Sequence, residues 1–408
     1  MGEYDILFLG RLFPKDEESE IKKKMKIGMA DAANALQWNI IAGLEENNCG
    51  KLTILNYLPV NSFPKGYSDF YIREFLFRHK DGDKTDINVG HCNLSIVKQI
   101  TNIIPYRSKV RKWINDDNQK KKVLFLYSAQ RLSLELARFA KGLDGKIETV
   151  CLIADIPEYN TIGELSGVRK VYNDYEVRRT DALYQYVDRF VLLTKQMQER
   201  LNIHVPCMVM EGIAPERDTD MNQKFADCFS GERYVLYTGT LNYEFGIATL
   251  LDAFSKIEDS NLKLIICGFG GAESAITESP DKRIVYLGKV DRRQALTLQR
   301  NATVLVNPRQ NNNEFTKYSF PSKTMEYLAS GVPVVAYKLD GIPDEYDNYL
   351  NYVPDNSPET LATVIQNICQ MSEEERKKMG ARAKRFVMEE KNARIQTKRI
   401  LDFLADGE

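Results

Sequence analysis

The chain has 408 residues, which at about 150 residues per domain corresponds to two or three domains. Hydrophobic residues make up 43%, charged residues 28% and aromatic residues 10%, a balance that fills cores and excludes a disordered or low-complexity polypeptide. Lys+Arg number 56 against 57 Asp+Glu, which gives no sign of a dedicated nucleic-acid binder, and the seven scattered cysteines form no CxxC pair, which argues against a disulfide framework or a structural zinc site.

No apolar run approaches the ~18 residues of a membrane span, and the first residues lack the basic and apolar regions of a signal peptide; a cytoplasmic location is expected. From the N-terminus, short β-branched and aromatic runs alternate with amphipathic stretches, the pattern of parallel strands joined by crossover helices. Strands are expected at 5–9, 52–55, 123–127, 149–153 and 190–193, then in a second series at 234–237, 262–267, 284–287, 303–307 and 333–336. The turn formers of Glu211-Gly212-Ile213-Ala214-Pro215, continued to Ser230-Gly231, place a boundary near 210–216. The expected architecture is α/β, two Rossmann-like doubly wound domains covering 1–210 and 211–390. Ser372 and Glu375 have the spacing of a capping box opening a helix over 373–389, and a last helix from about 391 is expected to pack back on the first domain. Ligands of open α/β sheets sit at the carboxyl ends of the strands, so two such domains are expected to face one another across a binding cleft.

Charge is unevenly distributed: residues 1–210 hold 31 basic against 27 acidic residues, and 211–408 hold 25 against 30. The excess lies in a tract where Arg107, Lys109, Arg111, Lys112, Lys120, Lys121 and Lys122 outnumber Asp116 and Asp117, with Trp113 among them. A solvated helix face is the plainer reading; peripheral contact with an anionic membrane surface is the sharper one.

The most informative segment runs from Val306 to Val335 and reads strand, polar loop, helix, tight turn, strand. Pro321 and Ser322 suit a helix start, whose free N–H groups and positive dipole end attract a phosphate. A capping box from Ser322 requires an acid or amide at position 325, which is Met325; the acid comes one residue later, at Glu326. Glu326 is thus available for another task, such as accepting hydrogen bonds from the vicinal hydroxyls of a ribose, with a solvated helix glutamate as the competing reading.

The string Phe320-Pro321-Ser322-Lys323, followed by Glu326-Tyr327-Leu328-Ala329-Ser330-Gly331-Val332-Pro333-Val334, resembles the donor-site segment of the GT-B fold glycosyltransferases of family 4, the "group 1" family. Tyr237-Thr238-Gly239-Thr240-Leu241, Leu264-Ile265-Ile266-Cys267-Gly268-Phe269-Gly270 and Leu287-Gly288-Lys289-Val290 resemble, in the right order, its strand and loop motifs. The resemblance implies a GT-B fold and a retaining glycosyltransferase. The implied donor is a nucleotide-diphosphate sugar, with a saccharide or lipid-linked saccharide as acceptor, in polysaccharide or glycoconjugate biosynthesis and without a metal. It implies that Glu326 binds the ribose and that the backbone at Ser322 and Lys323 approaches the diphosphate. Gly239, Thr240, Leu241, Gly268, Phe269, Gly270 and Val290 complete the donor site with Arg309, Tyr318, Ser319, Phe320 and Pro321.

Two departures stand out. The family's first acid, eight residues before Glu326, is replaced by Tyr318, with Glu314 four residues further back; and the Arg and Lys that commonly follow the first strand of the second domain are replaced by Thr240-Leu241-Asn242-Tyr243-Glu244-Phe245. Cationic help is therefore expected from Arg309, Lys317 and Lys323. In the N-terminal half, Gly10-Arg11 and Gly28-Met29-Ala30-Asp31-Ala32-Ala33-Asn34 flank the first strand and helix. Asp155, where many relatives carry a His-Asp pair, joins Lys323 and Glu326 as an expected catalytic group, against its reading as an Asx-turn residue before Pro157. His91 has no placed partner in the sequence. A nucleotide-sugar epimerase of the same fold and a catalytically weak binding subunit that supports a partner transferase are the alternatives.

Overall fold

The computed structural model describes residues 3–26, 31–95, 102–116, 119–156, 168–215, 225, 229, 231–312 and 314–406. Residues 28–30, Asp117, the 157–159 turn, Cys228 and Ser230 from the sequence reading lie outside them. The chain divides into two compact units, Met1–Ile213 with Ala393–Glu408, and Ala214–Asn392.

The first unit is built on β1 (Tyr4–Gly10) and β2 (Gly50–Asn56), followed by β3 (Tyr71–Ile72), β4 (Phe75–Phe77), β5 (Asp86–Asn88) and β6 (His91–Cys92), then β7 (Lys121–Tyr127), β8 (Glu148–Ile153), β9 (Arg189–Leu192) and β10 (Cys207–Val209). Eight of these form one sheet in the order β10-β9-β8-β7-β1-β2-β5-β4, and β3 pairs with β6. All pairs in the large sheet are parallel except β4 with β5. The apolar run of β1 is buried on both faces, as a strand covered by helices on both sides must be. The helix Ala393–Ala405 belongs to this unit and lies against the helix Asp31–Glu46. There Asn47 donates to Thr397 Oγ1 at 2.9 Å and to the Arg394 carbonyl at 2.8 Å.

The basic tract is largely built into this unit. Trp113 is 7% exposed and donates its indole N–H to Asp5 Oδ1 at 2.9 Å. Lys122 reaches Asp5 and donates to the carbonyls of Trp113 and Asp116, while Lys109 pairs with Glu74 and Lys121 with Glu148. The expectation of Trp113 as a membrane-facing residue is corrected: the buried Asp5 carboxylate needs donors, and Trp113 supplies one.

The second unit contains β11 (Arg233–Thr240), β12 (Leu262–Phe269), β13 (Ile284–Gly288), β14 (Val304–Asn307), β15 (Val334–Tyr337) and β16 (Asn351–Val353), paired in parallel in the order β13-β12-β11-β14-β15-β16. This is the doubly wound order 3-2-1-4-5-6, which reverses direction between its first and fourth strands. Its core packs Tyr234, Leu236, Ile265, Val306, Tyr327 and Phe254, all fully buried, among others. The capping box forms as expected: Ser372 accepts from the Glu375 N–H and Glu375 accepts from the Ser372 N–H, opening the helix Glu373–Glu390.

Candidate active site

The switch point of the second sheet lies between β11 and β14, and the motif residues gather at the carboxyl ends of these strands and of β12. Gly239, near the end of β11, has φ +150°, and Gly268, near the end of β12, has φ +142°. A Cβ on Gly268 would stand 1.7 Å from the Gly239 carbonyl oxygen, so the two strand ends touch backbone to backbone and no side chain fits between them. The register continues into the loops: the Leu241 N–H donates to the Phe269 carbonyl at 2.9 Å, and the Ala272 N–H to the Leu241 carbonyl at 2.7 Å. Gly270 donates to Glu273 Oε1 at 2.8 Å, and Tyr286 donates to the Gly268 carbonyl at 3.0 Å. Phe269 stays 55% exposed, with the Lys289 ammonium 5.4 Å from its ring centre.

Over this floor comes the helix Ser322–Ser330, with Pro321 at its N-cap and no side chain capping it; the Thr324 N–H donates back to the Pro321 carbonyl at 2.8 Å, and the N–H groups of Ser322 and Lys323 are left to a ligand or water. Lys323, in its first turn, lies across Gly239: a Cβ there would sit 1.9 Å from Lys323 Cε and 2.1 Å from Nζ. Gly239 is favoured by its φ, and a side chain there would have to displace the end of the lysine. Among the described residues Lys323 has no ion pair. Burial lowers its pKa, opposed by the nearby Glu326 charge, which marks an ammonium that lacks sufficient counter-charge.

Glu326 lies one turn further on and is 26% exposed at its side chain. Its Oε1 accepts from Gln299 Nε2 at 2.6 Å, and its Oε2 from Arg292 at 3.4 Å. Gln299, wholly buried, also donates to Thr238 Oγ1 at 3.0 Å, and the Thr238 N–H donates to the Tyr327 hydroxyl at 2.9 Å. One network therefore ties Glu326 to the end of β11 and to the helix Arg292–Asn301. The carboxylate is held rather than free, and it retains capacity for further hydrogen bonds, since an ionised carboxyl offers about four acceptor positions. Sequence reasoning missed Gln299; the available signal was a polar residue three positions after Leu296, on the buried face of that helix.

Other expected residues are placed as follows. Arg309 donates to Ser319 Oγ at 3.0 Å and lies over the rings of Phe245 and Phe315. Tyr318 donates to Glu314 at 3.4 Å, so the short helix Glu314–Tyr318 brings the displaced acid onto the tyrosine that stands where the family motif has one. Phe320 is buried against Tyr346, 5.3 Å between ring centres, and anchors the loop. Thr240 and Ser322 are exposed, and Val290 is half-buried. Asp155 belongs to the other unit, exposed just after β8. Among the described residues, no group of three or more His, Cys, Asp or Glu side chains is placed to hold a metal ion.

Residues 218–386 match the family described as glycosyl transferases group 1. The whole chain superposes on solved structures at low identity. Sucrose-phosphate synthase from Thermosynechococcus elongatus is 14% identical, with a TM-score of 0.63 over 98% of each chain. A glycosyltransferase from Rickettsia africae is 12% identical, with a TM-score of 0.63 over 100% of this chain and 99% of that one. Anabaena HepE, solved in complex with UDP, is 13% identical, with a TM-score of 0.59 over 98% and 100%. No curated protein matches the chain. Two parallel α/β sheets with this full-length likeness are the GT-B fold, and the second unit carries a domain that matches the group 1 glycosyl transferases over residues 218–386.

Proposed function

We propose that the protein transfers a sugar, with retention of anomeric configuration, from a nucleotide-diphosphate sugar to a saccharide or lipid-linked saccharide. The observation that carries this reading is the convergence, at the switch point of the second sheet, of an uncapped helix start, the ammonium of Lys323 and the held carboxylate of Glu326. When the glycosidic bond to the diphosphate breaks, negative charge builds on the phosphate oxygens, and preoriented donors there lower the barrier. Lys323 and the N–H groups at Ser322 and Lys323 are such donors, and the glycine floor lets phosphate approach the backbone closely. Glu326, oriented by Gln299 and Arg292, receives the ribose hydroxyls. The UDP complex of the HepE relative supports a uridine nucleotide as the first donor to try.

Asp155 is proposed to contact the transferred sugar or the acceptor. The product belongs to polysaccharide or glycoconjugate assembly, and peripheral membrane contact is part of the proposal; no helix among the described residues is long and apolar enough to cross a membrane. The test is a thermal-shift screen across nucleotide sugars, in which a ligand at 100 times its dissociation constant stabilises the fold by about 2.7 kcal/mol. Proton NMR of the product from the donor that binds follows. The reading requires nucleotide release with an α-linked product from an α-linked donor. Release of free nucleotide and an epimerised sugar without acceptor would move the assignment to an epimerase, and binding without turnover to a supporting subunit.

A further inference from the structure

At the carboxyl edge of the first sheet, Arg11 follows β1 in a loop held from several sides. Gln37 accepts from the Arg11 N–H at 2.6 Å and donates to its carbonyl at 2.8 Å. Asn56 accepts from the Leu12 N–H at 2.9 Å and donates to its carbonyl at 3.0 Å. The guanidinium lies 5.4 Å from the ring centre of Tyr57, which stacks on His91 at 4.4 Å and 16°. The Tyr57 hydroxyl accepts from Asn102 Nδ2 at 3.5 Å, leaving its own proton to give. Tyr106 donates to the Asn56 carbonyl at 2.9 Å and closes the back of the enclosure.

No carboxylate among the described residues is paired with this guanidinium. Among the described residues the Arg11 guanidinium has neither an ion pair nor a hydrogen-bond acceptor. Burial lowers its pKa, and the groups that oppose the shift are the phenols of Tyr57, Tyr106 and Tyr127, with no carboxylate among them. Arg11 is half-buried, and taking a cation even partly out of water without a counter-ion is costly; the two amide side chains fix the backbone from which it projects. Asp155 is close enough to raise the Tyr127 pKa. This edge is the reversal point of the sheet, between β1 and β7, where doubly wound domains take ligands.

We propose that Arg11, assisted by the Tyr57 hydroxyl, binds an anionic substituent of the acceptor, a phosphate or a carboxylate. The inference rests on the glycosyl-transfer reading above and narrows its acceptor to a negatively charged sugar. A guanidinium meets either group with two parallel N–H bonds, which a neutral hydroxyl cannot receive in the same way.

The test uses the full chain and isothermal titration with three probes, glucose 6-phosphate, glucuronate and glucose, plus UDP as a control. Wild type is expected to bind at least one charged sugar about tenfold or more tighter than glucose, a difference of about 1.4 kcal/mol; which one identifies phosphate or carboxylate. R11M is expected to erase that preference while leaving UDP affinity unchanged, and R11K to restore part of it, which also guards against a folding defect in R11M. Equal affinity for charged and neutral sugars, no binding of any of the three, or an undiminished preference in R11M overturns the proposal. So does a fall in UDP affinity in R11M, which would give the arginine to the donor. Failure of the glycosyl-transfer reading shows separately, as wild type that neither binds UDP nor turns over a nucleotide sugar.

Discussion

At the ends of β11 and β12 the backbone itself forms the floor of the site, with Gly239 and Gly268 in direct contact and a lysine laid across Gly239. At the end of β1, in the other unit, the chain is positioned by side chains instead, Gln37, Asn56 and Tyr106 bracing the loop around Arg11. The first arrangement suits a ligand recognised through main-chain N–H groups, as a diphosphate is. The second suits a ligand recognised by side-chain chemistry, which a family of transferases can change from one acceptor to the next without rebuilding the sheet. The two edges therefore fail in different ways when altered.

The largest effect is expected where the first unit relies on a buried side-chain network. His79, 2% exposed at its side chain, bridges Asp86 at 2.7 Å and Glu45 at 3.0 Å, and Asp86 also accepts from the Ile54 N–H at 2.9 Å. His79→Ala leaves a buried carboxylate without its cation and should cost about 3–5 kcal/mol in urea unfolding. Burial pushes the His79 pKa down, but the two carboxylates outweigh it and the net shift is upward. The contribution of the protonated ring is then fully present below about pH 6.5 and is lost as pH rises through the raised folded-state value. Wild type should lose stability relative to His79→Ala between pH 6 and the alkaline side of that range; a constant difference would remove the charged bridge from the account.

In the second unit the corresponding lesion is at the backbone. Gly268→Ala combines an unfavourable φ with overlap on a carbonyl that has no side-chain freedom to move, and should cost about 3 kcal/mol, the upper part of the range for a strained position. A thermal scan in which this variant melts with wild type would show that the strand ends can separate cheaply.

Smaller effects sharpen the reading of the basic tract. Lys122→Met removes the ammonium that serves Asp5 and two carbonyls and should cost near the lower end of about 1.5–3 kcal/mol. Lys112→Gln, on an exposed helix position, should change stability by no more than about 0.5 kcal/mol. Equal costs for the two would return Lys122 to a solvated surface.

The ten strands expected from apolar runs are all present, because parallel strands covered on both faces must be continuously apolar and so announce themselves. The short strands were not legible. In β5, Asp86-Ile87-Asn88 is polar at both ends, and its buried Asp86 carboxylate and Asn88 amide oxygen accept from Ile54 and Asn56 of β2, partners that no local pattern reveals. The same contrast holds at the two edges. Gly239, Gly268, Lys323 and Glu326 lie within short motifs whose spacing is local, whereas Gln299, which orients Glu326, and the tyrosines around Arg11 come from separate elements that only the fold brings together. Trp113 shows the opposite error, an aromatic among lysines that reads as surface and is drawn inward by the need of Asp5 for a donor.

The central claim is that the carboxyl edge of the second sheet is a nucleotide site in which Glu326 holds the ribose, and the most direct measurement is UDP affinity by isothermal titration for wild type and Glu326→Ala. The account predicts that wild type binds UDP and that the substitution weakens binding by about 1.5–3 kcal/mol, the range for a hydrogen bond to a charged group, with the melting temperature of the free protein little changed. A folded Glu326→Ala variant that binds UDP as tightly as wild type would contradict it.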